Sequence, residues 1–156
     1  MISVLFVCLG NICRSPLAEG LLRHHVDQAG LTDRFLIDSA GTGGWHKGEC
    51  PDRRSIAVAA RYGVDISAQC ARQLHRDDFY RFDLILGLDR DNVRNIRNIA
   101  PADATAKIAL YLDEALGLTK DVPDPYYGDA RDFEVVYRLC DEASAALMAK
   151  LTNPTG

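Results

Sequence analysis

The sequence predicts an α/β fold: a single domain with a four-stranded parallel sheet flanked by helices on both faces. Three observations predict it. Four short apolar runs, at residues 2–8, 35–38, 82–87 and 107–111, are separated by helical or loop segments, so strands and helices alternate. These runs suit strands buried on both sides, as parallel strands are. A chain of 156 residues with 47% hydrophobic content supplies one real core, so residues 1–156 read as one domain.

The elements follow in order. Ile2, Val4, Leu5, Phe6 and Val7 make the first strand, which ends at Cys8. The first helix, expected over 16–29, carries Pro16 in its first turn, where a missing N–H is tolerated. Further helices are expected over 53–62, closing before Gly63, over 89–99 and over 132–151. Right-handed crossovers distribute the helices over both faces, and an open parallel sheet binds its ligand beyond the carboxyl ends of its strands. Cys8 lies at such an end.

Between that strand and helix runs Cys8-Leu9-Gly10-Asn11-Ile12-Cys13-Arg14-Ser15. A strand turning tightly into a helix aims unpaired backbone N–H groups and the positive helix terminus at one point, which makes this a phosphate loop after the first strand. Cys8 sits at its base. Arg14 can fold back to offer two parallel donors to an oxyanion. Nucleophilic sulfur must be a thiolate, and a free thiol ionises only near a pKa of about 8.5. Lowering that by about three units takes about 4 kcal/mol, of which a helix terminus supplies at most about 2. Arg14, the loop amides and the Ser15 hydroxyl must supply the rest. The plain alternative for Cys8 is a small buried residue closing a core strand.

A second chemical segment is Lys120-Asp121-Val122-Pro123-Asp124-Pro125-Tyr126-Tyr127-Gly128, a loop constrained by two prolines and a glycine. Removing a phosphoryl group from an ester requires a proton for the departing oxygen, and a positioned carboxylic acid provides it. Asp124 is the candidate, and the plain alternative is an Asp that merely starts a turn before Pro125, as nearby Asp121 and Asp129 could also do. Trp45, after Gly43-Gly44, joins Tyr126 and Tyr127 as aromatics that could wall a slot for a flat ring; packing is the competing use. Ile12 would add an apolar wall.

The loop, with Asp38-Ser39-Ala40-Gly41-Thr42, Ala71-Arg72-Gln73-Leu74 and Asp124-Pro125-Tyr126-Tyr127-Gly128, resembles the low-molecular-weight protein tyrosine phosphatase family in its bacterial type, nearly end to end. C-x-x-x-x-x-R alone is shared by unrelated phosphatases; its terminal position together with D-P-Y-Y-G is far more specific. The resemblance implies hydrolysis of phosphotyrosine through a cysteinyl phosphate. Cys8 is then the nucleophile, Arg14 the clamp and Asp124 the general acid and base. Phosphate would be bound by Leu9, Gly10, Asn11, Ile12, Cys13 and Ser15, and the aryl ring by Trp45, Tyr126 and Tyr127. It further implies that Asn11 takes a strained or positive-φ conformation held by Ser15 and Ser39. A histidine common in that network is replaced here by Gln69, which can still donate and accept, leaving loop rigidity open.

The resemblance also implies a tyrosine-phosphorylated protein as partner, a bacterial tyrosine kinase being one candidate. It implies a mostly monomeric enzyme, with weak self-association through the aromatic rim. Related chemistries on this loop compete. A thiol-dependent arsenate reductase would need further cysteines beside Cys70, and a phosphoarginine phosphatase tends to carry threonine where Ile12 stands. A phosphocysteine carrier of sugar uptake has no use for Arg14 and Asp124.

Composition narrows the rest. A net charge of −4 with no basic tract argues against nucleic acid as partner. Five cysteines without scaffold spacing, and no charged-then-apolar leader or apolar run of spanning length, lead us to expect a reducing cytoplasm and no membrane insertion. No C-x-x-C pair suggests a metal, and no cofactor is expected. Cys13, five residues from Cys8, could resolve an oxidised Cys8 into a disulfide and make the enzyme redox-regulated, or could simply pack the loop.

Overall fold

Strand β1 (Ile2–Cys8) lies inside a four-stranded sheet whose spatial order is β2 (Phe35–Gly41), β1, β3 (Leu84–Gly87), β4 (Lys107–Leu110), every pair parallel. The computed structural model describes residues 1–153. Six helices connect or flank the strands: α1 (Arg14–Gln28), α2 (Arg53–Arg61), α3 (Asp78–Arg81), α4 (Arg90–Ile99), α5 (Tyr111–Leu116) and α6 (Ala130–Thr152). A single 3-10 turn, Thr32–Arg34, precedes β2.

Because successive side chains of a strand point to opposite faces, β1 feeds two cores. Val4, Phe6 and Cys8 join the larger one with α1 and α6, whereas Leu5 and Val7 pack with Phe79, Phe82 and Ile96 of the α3–α4 side. Burial on both faces explains why β1 carries no polar residue after Ser3. Its register with β2 runs from Ile2 opposite Phe35 to Cys8 opposite Gly41, so the two strands end together and the loop after β1 rests on the residues after β2.

Several bounds differ from the sequence expectation. The run 82–87 pairs only from Leu84, because Phe82 is the residue that ends α3 and is apolar for the sake of the smaller core. Strand β2 continues past residue 38 to Gly41, since full pairing with β1 outweighs the polar Asp38-Ser39. Helix α1 starts at Arg14, two residues before Pro16. The 107–111 run stops at Leu110; Tyr111 opens α5, where its fully buried ring meets Phe6 edge-on at 5.1 Å and its hydroxyl lies 2.6 Å from Ser144 Oγ and donates to the Cys140 carbonyl at 3.0 Å. Asp129 caps α6 reciprocally with Asp132, which carries that helix two residues further toward the amino end than expected. Helices α3 and α5, of four and six residues, are too short to leave a periodic signal.

Removing the Tyr111 hydroxyl takes the buried Ser144 hydroxyl's partner and the second bond of the Cys140 carbonyl. Tyr111→Phe should lower unfolding free energy by about 1–3 kcal/mol in urea titration, with the slope unchanged. A loss near zero would mean that Ser144 re-pairs within its own helix.

Candidate active site

The loop from Cys8 to Arg14 is held by its carbonyls. Cys8 and Leu9 carbonyls accept from the Thr42 and Gly43 N–H groups, both at 2.9 Å, the Ile12 carbonyl from Asp52 N at 2.7 Å, and the Cys13 carbonyl from Ser55 Oγ at 3.2 Å. With the carbonyls turned outward, the backbone N–H groups of residues 10–13 have no partner among the described residues. Helix α1 opens at the same place, with Cys13 at its cap position and no side-chain cap. Its first N–H groups and its dipole therefore also face the loop interior. Gly41 makes the packing feasible: a Cβ there would stand 2.8 Å from the Leu9 carbonyl oxygen.

Asn11 fixes the loop's shape. It is the one non-glycine with positive φ among the described residues, at 57°, and is 2% exposed. The Arg72 backbone N–H donates to Asn11 Oδ1 at 3.0 Å, which orients the amide. Asn11 Nδ2 then donates to Ser15 Oγ at 2.7 Å and Ser39 Oγ at 2.9 Å, using both of its hydrogens. Ser39 gives its own proton to Glu19 Oε1 at 2.6 Å, and the Ser15 proton is left for Cys8 Sγ, 3.0 Å away. A chain of hydrogen bonds thus runs from a buried carboxylate to the sulfur, its last link donated by Ser15 whenever Cys8 is a thiolate. Burial raises the Glu19 pKa above its ordinary value, and the Ser39 bond and the Arg23 ion pair only partly offset that.

Arg14 reaches the cleft from the first residue of α1 and is 2% exposed. Its Nη1 donates to Asp89 Oδ2 at 2.7 Å and to the Val122 carbonyl at 3.0 Å, bracing the guanidinium from behind. Burial works against the charge, but Cys8 and then Asp89 raise its pKa above the ordinary value. The Nε–Nη2 edge is kept for the cleft: Nη2 is 3.7 Å from Asp124 Oδ2, and the buried Nε has no partner. Such an edge suits two oxygens of one tetrahedral anion.

Asp124 is the acidic residue of its loop that faces this cleft. Asp121 is tied to the Arg90 backbone and guanidinium, each at 3.0 Å, and Asp129 caps α6. The Asp124 carboxylate also accepts from Tyr126 N at 3.1 Å.

Cys8, Leu9, Gly10, Ile12, Cys13, Arg14, Trp45, Asp124, Tyr126 and Tyr127 all line one cleft of about 240 Å³. Trp45 is 72% and Tyr127 99% exposed, so neither serves the core; both stand at the mouth. Asn11, Ser15 and Ser39 lie behind the loop as its supports. Gln69 does not join them: its Nε2 donates to the Pro16 carbonyl at 3.1 Å, and its buried Oε1 has no partner. The expected place of Gln69 in the Asn11 network is therefore corrected. It steadies the first turn of α1 instead, because the Arg72 backbone already satisfies Asn11 Oδ1.

Sequence reasoning missed four contributors. His46 lines the cleft over Gly10, where a Cβ would come 3.0 Å from its ring. Asp89 braces Arg14, Glu19 ends the hydrogen-bond chain, and Arg72 binds Asp38 and Asp78 while its backbone holds Asn11. Asp89 left a local signal as the acidic cap before a helix, and Arg72 stood in the motif Ala71-Arg72-Gln73-Leu74 without a role attached.

Residues 3–155 match the family model described as low molecular weight phosphotyrosine protein phosphatase. The chain belongs to that family. The low molecular weight protein-tyrosine-phosphatase of Streptomyces coelicolor is 45% identical to it over 94% of this chain and 91% of its own. A protein tyrosine phosphatase from Entamoeba histolytica, crystallised with Hepes in its active site, superposes with a TM-score of 0.90 at 35% identity, covering 97% of both chains. The drosophila arginine phosphatase DARP shares the architecture too, with a TM-score of 0.89 at 30% identity over 97% of this chain and 98% of its own. The family's enzymes are phosphatase hydrolases, and no helix among the described residues of this member is long and apolar enough to cross a membrane.

Glu19 yields a pH-dependent prediction. A carboxyl whose folded pKa lies above its unfolded value favours folding below the unfolded pKa, near 4.5, and that contribution is lost as pH rises through the folded one. The stability of Glu19→Gln relative to the parent should therefore increase as pH climbs from about 4 toward neutrality. Denaturation curves at several pH values measure it, and a difference that stays flat contradicts the assignment.

Proposed function

We propose that this phosphatase hydrolyses phosphotyrosine in proteins in two displacements through a phosphocysteine at Cys8, without a metal ion. The reading rests on one observation above all: a cysteine sulfur, a braced guanidinium edge and a loop carboxylate line a single cleft whose mouth carries three exposed aromatic rings.

The first step is attack by the Cys8 thiolate on phosphorus, in line with the tyrosyl oxygen. The S–P bond forms as the P–O bond breaks, and Asp124 gives its proton to the departing oxygen. Charge on the equatorial oxygens is met by the Arg14 Nε–Nη2 edge and by the loop amides. In the second step Asp124, now a carboxylate, takes a proton from water that attacks the same phosphorus; the S–P bond breaks, thiolate returns and phosphate leaves. The Ser15 hydroxyl, obliged by Asn11 to point its proton at sulfur, stabilises the anion that begins and ends the cycle.

Shape favours an aryl ester. Phosphorus must descend to the sulfur of a cysteine that is only 3% exposed, and a tyrosyl ring is long enough to do so while its faces meet Trp45 and Tyr126. Ile12 lines the cleft and brings no hydroxyl that would suit a guanidinium substrate, which favours phosphotyrosine over phosphoarginine.

We place redox control at the same loop. Peroxide would convert Cys8 thiolate to a sulfenic acid, and attack by the Cys13 thiol would form the disulfide and release water. Burial first, then the Asp52 charge, push the Cys13 thiol up to about 12, so it attacks slowly and competes with overoxidation of Cys8.

Two measurements test these roles. Cys8→Ser should abolish turnover while still binding vanadate or phosphate, and Asp124→Ala should lower kcat on phosphotyrosyl peptides by about 10²–10⁴-fold but far less on p-nitrophenyl phosphate, whose leaving group needs no proton. Equal losses on both substrates would remove Asp124 as the acid. Mass analysis after mild peroxide should find the 8–13 disulfide, its yield falling as peroxide rises. Irreversible Cys8 oxidation at every dose, with no disulfide, would exclude Cys13 as the resolving thiol.

A further inference from the structure

The catalytic cleft is not closed on the side of residues 46–54. A second groove of about 440 Å³ adjoins it there, and Ile12, His46 and Tyr126 line both. A peptide whose phosphotyrosine enters the first cleft therefore has a ready path for its neighbouring residues across this shared wall.

The groove is built in advance of any substrate. Its outer segment is bonded to the phosphate loop by Asp52 N to the Ile12 carbonyl at 2.7 Å. It is also bonded to the strand of residues leading to Arg72, by Gly48 N to the Ala71 carbonyl and Ala71 N to the Glu49 carbonyl, both at 2.8 Å. Such backbone ties position the side chains without an ordering step on binding.

The charges lining it are mostly spoken for. Arg54 is locked in a bidentate pair with Asp52, 3.0 Å at both contacts, donates to the Tyr126 carbonyl at 2.9 Å, and lies over the Phe133 ring at 4.4 Å. Glu49 is held by His46 Nδ1 at 2.8 Å. Arg53 differs. It lines the groove, is exposed, and among the described residues makes no ion pair or hydrogen bond through its guanidinium. Its neighbour Asp52 feels its charge but is spent on Arg54, and Glu49 is held by His46, so the Arg53 guanidinium is left to meet a carboxylate of the substrate.

We propose that this groove reads the residues flanking phosphotyrosine and that Arg53 selects an acidic one, so the favoured substrates are phosphotyrosyl segments carrying aspartate or glutamate within a few residues. The proposal rests on the phosphotyrosine reading above and deepens it. An exposed pair of this kind gives a modest preference, because solvent screens it; the fixed groove supplies its direction.

A charge-swap experiment tests it. Phosphotyrosyl peptides of one parent sequence would carry Glu, Ala or Lys at each of three positions on either side, and kcat/KM would be measured for each. For the parent enzyme, Glu should exceed Lys about three- to tenfold at one or two positions, and the preference should shrink as salt rises. Arg53→Glu should invert that ratio at the same positions, and Arg53→Ala should bring it close to one. Ratios taken within one enzyme are independent of how much active protein each preparation holds. Equal kcat/KM for Glu and Lys at every position, or a Glu preference that survives Arg53→Glu, overturns the subsite. Failure of the parent enzyme to hydrolyse p-nitrophenyl phosphate and every phosphotyrosyl peptide would instead overturn the phosphatase reading itself, so the two failures are distinct.

Discussion

A single side chain holds the chemistry together. Asn11 sits in the left-handed region, which costs a non-glycine residue of order 1–3 kcal/mol, and three hydrogen bonds keep it there. Because its carbonyl is spent on the Arg72 backbone, its two N–H bonds must go to Ser15 and Ser39, and each serine must then donate onward. The strain at Asn11, the carbonyl-out geometry of the loop and the proton aimed at Cys8 are consequences of one arrangement. A glycine at this position would relieve the φ penalty but would break the chain of donors.

The charge distribution follows from the same constraint. A cleft that concentrates backbone N–H groups, a helix terminus and a guanidinium would repel its own cation, so Arg14 is neutralised from behind by Asp89 and the Val122 carbonyl. Arg72 plays the equivalent part for the supporting layer by spanning Asp38 and Asp78. Arg14 thus needs no rearrangement to meet an oxyanion, which is the condition under which electrostatic stabilisation lowers a barrier. The same logic sets Arg53 apart, since its neighbouring acid Asp52 is committed to Arg54 and its own guanidinium makes no ion pair or hydrogen bond among the described residues.

How much was legible in the sequence depends on how locally each feature is encoded. The phosphate loop was legible because a strand end, a cysteine, an arginine six residues on and a proline in the first helical turn are all contiguous. Strand β1 and helix α1 were legible for the same reason. The ends of β2 and β4 were not: Gly41 is strand because Cys8 lies opposite, and Tyr111 is helix because its hydroxyl has Ser144 to meet. Phe82 shows the converse error, an apolar residue that belongs to a core without belonging to a strand.

The sequence by itself determined the alternating α/β order, the placing of Cys8 and Arg14 on one strand-to-helix loop, and membership of a family, because each is written in residues adjacent along the chain or in motifs of fixed spacing. Tertiary structure alone decided that Arg72 rather than Gln69 satisfies Asn11, and that Asp89 and Glu19 stand behind the site. Those choices join residues 20 to 75 positions apart, and hydrogen-bond polarity across such separations is set only when the sheet and helices bring the partners within reach.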